Sequence, residues 1–174
     1  MATATNTITR YRLIDTPFGE FRVELSSTGT ITTSWTALLD KKPPKEWIKG
    51  DLLLPDLVED LRKYFEGDLT VDFSYVSTPK GSEFYRKCWE AARKIPVGEV
   101  WTYGELAKAA GGKPSSARAA GQAMRNNPVP VIIPCHRVCG SSGALVGYAG
   151  NSKKESAGIK IKKNILTLEG YNPT

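Results

Sequence analysis

Residues 77–81, with the sequence Ser-Thr-Pro-Lys-Gly, separate two halves of the chain that carry different hydrophobic patterns. The preceding half alternates short runs rich in β-branched and aromatic residues with turn-forming residues, a pattern typical of an antiparallel meander. These runs cover residues 11–14, 18–25 and 31–37. The following half is patterned mainly for helices, and Ser82 can cap the first of them, which is expected to run to about Lys94. The sequence therefore predicts an α+β protein, with a small N-terminal α/β domain containing an antiparallel sheet over residues 1–80 and a mostly helical C-terminal domain over residues 81–174.

Two further elements complete the predicted N-terminal domain. Apolar residues recur at helical spacing between residues 55 and 66, and Gly67 follows as a stop signal. They are Leu57, Val58, Leu61, Tyr64 and Phe65. Residues 69–76 then predict a strand.

The composition is that of a globular protein. Of the 174 residues, 40% are hydrophobic and 24% are charged, so the chain can bury a substantial core. No apolar run approaches the ~20 residues needed to cross a bilayer, and residues 1–6 have neither the basic nor the apolar part of a targeting signal. These features predict a cytoplasmic protein without membrane contact, which we expect to be a monomer.

Charge is distributed unevenly along the chain. Residues 1–80 carry 10 basic and 12 acidic side chains, a net −2, whereas residues 81–174 carry 14 and 6, a net +8. This asymmetry favours a polyanion-binding C-terminal half. Charge alone is equally compatible with a basic protein that binds nothing anionic.

Two short helices joined by a glycine turn are predicted in the basic half. Residues 102–105, Thr-Tyr-Gly-Glu, have the Thr-x-x-Glu form of a capping box, and the helix that they open ends at the glycine pair 111–112. Ser115 or Ser116 caps a second helix, which ends at residues 126–128, Asn-Asn-Pro. The pattern is typical of a helix-turn-helix, although helical hairpins that never contact DNA share it.

The second of these helices is built from unusually small side chains. Residues 117–124 are mostly Ala and Gly, and Arg118 is the only long charged side chain among them. A face of small residues allows either a close approach to another surface or tight packing in the core.

Residues 134–138, Pro-Cys-His-Arg-Val, contain the sole histidine of the chain directly after a cysteine. The basic neighbours His136 and Arg137 are expected to lower the pKa of the Cys135 thiol and so to favour the nucleophilic thiolate. Three other interpretations remain open. Cys135 could be a buried small hydrophobe, as we expect for Cys88, it could form a disulfide with Cys139, or the three cysteines and His136 could bind zinc.

Three segments of the basic half closely resemble the O6-alkylguanine-DNA alkyltransferases, or methylated-DNA–protein-cysteine methyltransferases. They are residues 95–103, Ile-Pro-Val-Gly-Glu-Val-Trp-Thr-Tyr, residues 119–130, Ala-Ala-Gly-Gln-Ala-Met-Arg-Asn-Asn-Pro-Val-Pro, and residues 133–138, Ile-Pro-Cys-His-Arg-Val. The resemblance is dense over residues 82–170. It implies an N-terminal α/β domain, a C-terminal helix-turn-helix domain, no cofactor, and double-stranded DNA containing O6-alkylguanine as the partner. It also implies that the base is flipped out of the duplex and that Cys135 accepts the alkyl group irreversibly, in a single turnover.

The resemblance also implies roles for individual residues. His136 takes the thiol proton through a water molecule, Glu169 orients His136, and Asn127 ties the helix-turn-helix to the active-site loop. Arg118 fills the space left by the flipped nucleotide, and Tyr103 crowds the adjacent phosphate. Two small residues of the same helix, Ala119 and Gly121, allow close contact with the minor groove.

The resemblance further implies that four residues form the substrate pocket. Tyr148 lies near the base and donates a hydrogen bond to the leaving O6 atom, and Met124, Pro130 and Val138 form the walls. Met124 could equally be a core residue, and Glu169 could be an ordinary surface glutamate at the end of a helix with an apolar face of Ile161, Ile165 and Leu168.

Two features of the chain depart from the family pattern. Residues 151–158 form a longer, Lys- and Ser-rich segment, and residues 1–80 contain no Cys or His, so the N-terminal zinc site of some family members cannot form. In the other half, the adjacent Cys135 and His136 are awkwardly placed to chelate one ion, and the Cys135–Cys139 pair lacks a second such pair, so no metal site is expected. Three other functions remain as alternatives: a lesion sensor that binds alkylguanine without removing it, a helix-turn-helix regulator, and a cysteine hydrolase.

Overall fold

A computed structural model of the protein describes residues 9–39, 42–148 and 156–173. Strands β1 (Thr9–Thr16), β2 (Gly19–Ser26) and β3 (Ile31–Trp35) pair in antiparallel fashion, which confirms the predicted meander. A short strand β4 (Ile48–Lys49), which the sequence pattern did not indicate, adds to β1 in parallel. The strand order is β3-β2-β1-β4, so β3 forms an edge of the sheet.

Helix α1 (Pro55–Phe65) packs against one face of this sheet, as the apolar spacing predicts. Phe21 of β2 and Trp35 of β3 contact each other edge-to-face with ring centroids 4.8 Å apart, and both contact Phe65 of α1 in the same way at 5.4 and 5.5 Å. Such aromatic contacts add to the free energy gained from burial alone. The aromatic cluster therefore holds the edge strand firmly against α1.

The predicted strand over residues 69–76 is wrong, because this segment forms turns. The Asp68 carboxylate accepts hydrogen bonds from the backbone N–H and the hydroxyl of Thr70, and Asp72 does the same for Ser74. These local side-chain bonds replace the strand ladder. Arg93 then donates to the carbonyl oxygens of Phe73 and Val76 and ties the segment to the following helix.

Helices α2 (Glu83–Ala92) and α3 (Tyr103–Ala109) begin as predicted. The Ser82 hydroxyl accepts from the N–H of Tyr85, and Thr102 with Glu105 forms the capping box. Helix α4 (Ala117–Arg125) follows a 3-10 turn, and the two helices of the helix-turn-helix are present. The prediction that a serine side chain caps α4 is wrong. Ser116 occupies the cap position with φ −81° and ψ 9°, and its side chain makes no hydrogen bond to the helix.

Two short strands and a last helix complete the fold. Strand β5 (Trp101–Thr102) pairs in parallel with β6 (Val138–Cys139). Helix α5 (Ala157–Leu168) is capped by Ser156. Of the Lys- and Ser-rich segment 151–158, residues 151–155 lie outside the described ranges, and residues 157 and 158 form the start of α5. Ile161 and Ile165 are buried as expected.

The buried residues form one continuous cluster with members before and after residues 77–81. Backbone and side-chain hydrogen bonds from Thr33 of β3 to the carbonyl oxygens of Pro128 and Pro130 join the same two parts. The division into domains 1–80 and 81–174 stays a prediction. None of the described helices has the length and apolar character needed to cross a membrane.

Candidate active site

Cys135 and His136 lie in a 3-10 turn that spans Cys135–Arg137, at the end of a loop that leaves α4. Asn127 fixes this loop with both atoms of its amide. Its Nδ2 donates to the carbonyl oxygen of Ile133 at 2.9 Å, and its Oδ1 accepts from the N–H of Val129 at 3.0 Å. Asn127 thereby connects the end of the helix-turn-helix to the cysteine turn.

The Cys135 thiol is buried, with 5% of the residue exposed. Burial raises its pKa, and the opposing effects of the Asn127 side chain and the Lys162 charge do not compensate. The prediction that the basic neighbours lower this pKa is therefore wrong. His136 and Arg137 are instead engaged by the carboxylate of Glu169.

His136 is fully buried, and its Nε2 lies 3.1 Å from Oε1 of Glu169. Burial lowers its pKa and keeps the imidazole neutral at neutral pH. A carboxylate can only accept a hydrogen bond, so the Glu169 contact assigns the proton to Nε2. Nδ1 then carries the lone pair, and it has no hydrogen-bond partner among the described residues. The ring is thus able to accept a proton at Nδ1.

Glu169 follows α5 and is 4% exposed, so the alternative of a surface glutamate is wrong. Its carboxylate accepts hydrogen bonds from the Tyr64 hydroxyl at 2.7 Å and from Arg137 Nη2 at 2.7 Å and Nε at 3.0 Å. Burial by itself would raise the pKa of Glu169. The hydrogen bond from His136, together with the hydrogen bonds and the charge of Arg137, outweighs burial and holds the pKa well below its usual range. Glu169 is therefore ionised beside the histidine.

Three contributors to this site were not assigned to it by sequence. Tyr64 was predicted only as a core residue of α1, and nothing in the sequence links it to Glu169, 105 residues away. Arg137 was interpreted as a partner of the thiol rather than of Glu169. Lys162 is fully buried in α5, and its Nζ donates to the carbonyl oxygen of Val138 at 2.5 Å. Lys162 lies four residues before Leu166, which is also buried, so helical spacing was the one signal that Lys162 faces the core.

All four predicted pocket residues are buried. The Tyr148 hydroxyl accepts a hydrogen bond from the indole Nε1 of Trp35 at 3.2 Å, and the carbonyl oxygen of Pro130 accepts from the Thr33 hydroxyl at 2.9 Å. Both contacts come from β3. Met124 and Val138 belong to the buried core cluster. For Met124, a core residue and a pocket wall therefore both remain possible interpretations.

The predicted DNA-contacting residues lie on and beside α4. Arg118 and Ala119 are exposed near its start. Gly121 faces Tyr103, since a Cβ atom there would lie 3.7 Å from Cδ1 of that ring. The Tyr103 hydroxyl donates to the carbonyl oxygen of Val146 at 3.2 Å, and burial raises the pKa of Tyr103 to about 12. Tyr103 therefore connects α4 with the segment that leads to Tyr148.

The disulfide and zinc interpretations of the cysteines find no support in the described residues. Cys88, Cys135 and Cys139 are all free thiols, so the Cys135–Cys139 disulfide is not formed. Within residues 9–39, 42–148 and 156–173, no group of three or more His, Cys, Asp and Glu side chains could hold a metal ion.

Asn127 joins a helix-turn-helix to a buried cysteine, and a His–Glu pair lies next to that cysteine. This combination defines the class of protein: a DNA-binding domain that carries a cysteine site. The sequence profile of the DNA-binding domain of 6-O-methylguanine DNA methyltransferase matches residues 83–171, and the chain belongs to this family.

Relatives of known sequence and structure agree with this assignment. A methylated-DNA–protein-cysteine methyltransferase of Methanosarcina acetivorans is 40% identical over 127 residues, covering 73% of this chain and 76% of the relative. One from Mycolicibacterium paratuberculosis is 37% identical over 161 residues, covering 91% of each chain. The crystal structure of Mycobacterium tuberculosis OGT in complex with DNA has a TM-score of 0.76 and 34% identity, covering 94% of this chain and 95% of the other.

Proposed function

We propose that this protein repairs DNA by transferring the alkyl group of O6-alkylguanine from double-stranded DNA to Cys135, once per molecule. The observation that carries the proposal is the arrangement of the Cys135 turn: His136 Nδ1 has no partner among the described residues, and the ring is held by an ionised Glu169. The methyltransferase relatives and the DNA complex of the Mycobacterium tuberculosis protein support the reaction and the partner.

The chemistry is a single displacement at carbon. His136 receives the thiol proton through a water molecule, the sulfur attacks the alkyl carbon, and the bond from that carbon to O6 breaks. Guanine leaves as an anion and takes up a proton, while Cys135 becomes a thioether. Because a thioether is a poor leaving group, the protein is not regenerated.

The electrostatics explain why the cysteine needs the neighbouring pair. Burial raises the pKa of the thiol, so little thiolate exists before substrate binds. Proton transfer to His136 becomes favourable when the resulting imidazolium lies against a carboxylate, the same base-plus-orienter arrangement as in a catalytic triad. Arg137 holds that carboxylate in place through hydrogen bonds from its Nε and Nη2 atoms.

The alkyl group on O6 lies inside the duplex, so the base must leave the stack before the thiol can reach it. Arg118 is exposed near the start of α4, where it can fill the vacated space, and Tyr103 crowds the adjacent phosphate. Two small residues, Ala119 and Gly121, let the helix settle into the minor groove, whose degenerate base pattern suits a protein that must act on any sequence.

Tyr148, Met124, Pro130 and Val138 line the pocket for the flipped base, and Tyr148 donates a hydrogen bond to the leaving O6 atom. The transfer needs no cofactor, since the DNA supplies the alkyl group and Cys135 accepts it. We infer further that the protein acts as a cytoplasmic monomer, with residues 1–80 and 81–174 as its two domains.

Intact-mass analysis after incubation with a duplex containing labelled O6-methylguanine tests the proposal. One label per molecule is expected, and peptide mapping should place it on Cys135. Cys135→Ser should abolish transfer yet keep lesion binding, because the hydroxyl preserves the shape but its much higher pKa removes the nucleophile. Cys88→Ala, in α2, is the matched control and should be labelled fully.

The same experiment separates the alternatives. Label on Cys88 or Cys139 would contradict the assignment of Cys135. A lesion sensor would bind the duplex without becoming labelled, a regulator would prefer one undamaged sequence, and a hydrolase would release product over many turnovers.

A further inference from the structure

Trp35 connects the edge strand β3 to the proposed pocket. Its indole Nε1 donates to the Tyr148 hydroxyl at 3.2 Å, across 113 residues of sequence. Both residues are buried, with 1% of Trp35 and 4% of Tyr148 exposed. The Trp35 ring is held by Phe21 and Phe65 in edge-to-face contacts, so the position of its N–H is fixed by packing.

This hydrogen bond determines what the Tyr148 hydroxyl can do. An indole N–H only donates, so the phenol oxygen must be the acceptor in this contact. The hydroxyl proton of Tyr148 is then available for another partner, and no acceptor for it lies among the described residues. Burial and the nearby Cys135 raise the pKa of Tyr148 well above its usual value, so the hydroxyl keeps its proton at neutral pH.

We infer that Trp35 is a positioning residue that fixes the Tyr148 hydroxyl as the hydrogen-bond donor to O6 of the departing guanine. This inference rests on the proposed alkyl transfer. In that step, negative charge develops on O6 as its bond to the alkyl carbon breaks. A donor already aimed at this atom stabilises the transition state without having to reorient.

The indole contact also makes the phenol a stronger donor. Hydrogen bonds in a chain polarise one another, so a phenol that accepts from an N–H donates more strongly through its own O–H. The effect of Trp35 should therefore depend on how much the leaving group needs a donor. A purely structural contribution would not have this dependence.

Trp35→Phe removes the indole N–H and keeps an aromatic ring among Phe21 and Phe65. Trp89→Phe is the matched control, because the Trp89 indole in α2 makes a buried hydrogen bond of 2.9 Å to the carbonyl oxygen of Ala123 and leaves Tyr148 untouched. Both variants lose a buried indole bond, and only one loses the contact to the pocket.

The test measures single-turnover alkylation of Cys135 by two free bases, O6-benzylguanine and its 8-bromo derivative, whose conjugate base is the better leaving group. Free bases require no flipping, so the rates report on the pocket alone. Trp35→Phe should slow reaction with O6-benzylguanine about tenfold, the order of one net hydrogen bond, and slow the bromo derivative less. Trp89→Phe should stay within about twofold of the parent.

A double-mutant cycle with Tyr148→Phe completes the experiment. If Trp35 acts through the Tyr148 hydroxyl, Trp35→Phe should have almost no further effect once that hydroxyl is absent. Equal losses on both bases, a persisting effect in the Tyr148→Phe background, or an equal loss in Trp89→Phe would overturn the inference. A parent protein that is not alkylated on Cys135 even by a duplex containing O6-methylguanine would instead overturn the proposed function.

Discussion

The Tyr64 hydroxyl of helix α1 donates a 2.7 Å hydrogen bond to the Glu169 carboxylate, which follows helix α5. The same carboxylate contacts the only histidine of the chain. Residues from both halves of the chain therefore build the surroundings of His136. The N-terminal part contributes directly to the candidate active site, through Tyr64 as well as through Thr33 and Trp35 of β3.

Tyr64→Phe removes one of the donors to a buried carboxylate. We expect the free energy of unfolding to fall by about 1–2 kcal/mol, the cost of leaving a buried acceptor under-satisfied. Alkyl transfer should slow severalfold, because Glu169 then holds His136 less firmly. Urea unfolding and single-turnover kinetics measure the two effects.

Tyr75→Phe is the control for this substitution. The Tyr75 hydroxyl also donates to a carboxylate, that of Asp60, but the contact is exposed. Its loss should change stability by no more than about 0.5 kcal/mol. Equal stability in the two variants would show that Glu169 does not depend on Tyr64.

His136 should make the protein less stable in mild acid. Its pKa is lowered in the fold, so below about pH 6.5, the ordinary value, the unfolded chain binds a proton that the folded chain does not. The free energy of unfolding should therefore fall as the pH falls from about 7 to 5, by at most about 1.4 kcal/mol per pH unit. Glu169, whose pKa is held low, should add a further loss only below about pH 4.5.

Urea unfolding across this pH range measures the effect. Because His136 is the only histidine, His136→Gln should remove most of the slope above about pH 5. A parent protein whose stability is constant between about pH 7 and 5 would contradict the lowered pKa of His136.

Arg118→Ala should weaken transfer from duplex DNA by about tenfold or more and leave reaction with free O6-benzylguanine nearly unchanged. Only the duplex has a base stack to open, and opening it costs a few kcal/mol that the inserted side chain offsets. Arg125→Ala, at the opposite end of the same helix, is the control for loss of a positive charge. Equal losses on the duplex and the free base would rule out Arg118 as the inserted residue.

Binding to undamaged duplex should weaken steeply with salt. Each phosphate neutralised by the basic C-terminal half contributes a slope of about −0.9 in log K against log salt, and we expect on the order of three to six such contacts. Titration of several unrelated duplexes at increasing salt should give nearly the same slope. A slope near zero would show that the charge asymmetry plays no part in DNA binding. A strong preference for one undamaged sequence would favour a regulator.

Short-range signals account for the features that the sequence predicted well. Ser82 and the Thr102–Glu105 capping box mark helix starts because each cap bonds a backbone group within three residues. The incorrect prediction of a strand over residues 69–76 also has a local cause. Asp68 and Asp72 precede Thr70 and Ser74 at the spacing of side-chain turns, and those turns prevailed over the apolar alternation.

The sequence by itself determined the α+β class, the helix-turn-helix and the Cys135–His136 motif, because each depends on residues close together in the chain. Only the tertiary structure decided the electrostatics of the site. Burial, which no local pattern specifies, raises the pKa of Cys135 against the expectation from its basic neighbours. Contacts across about a hundred residues give Glu169 its Tyr64 donor and Tyr148 its Trp35 donor, since desolvation and hydrogen-bond geometry arise only when distant segments pack together.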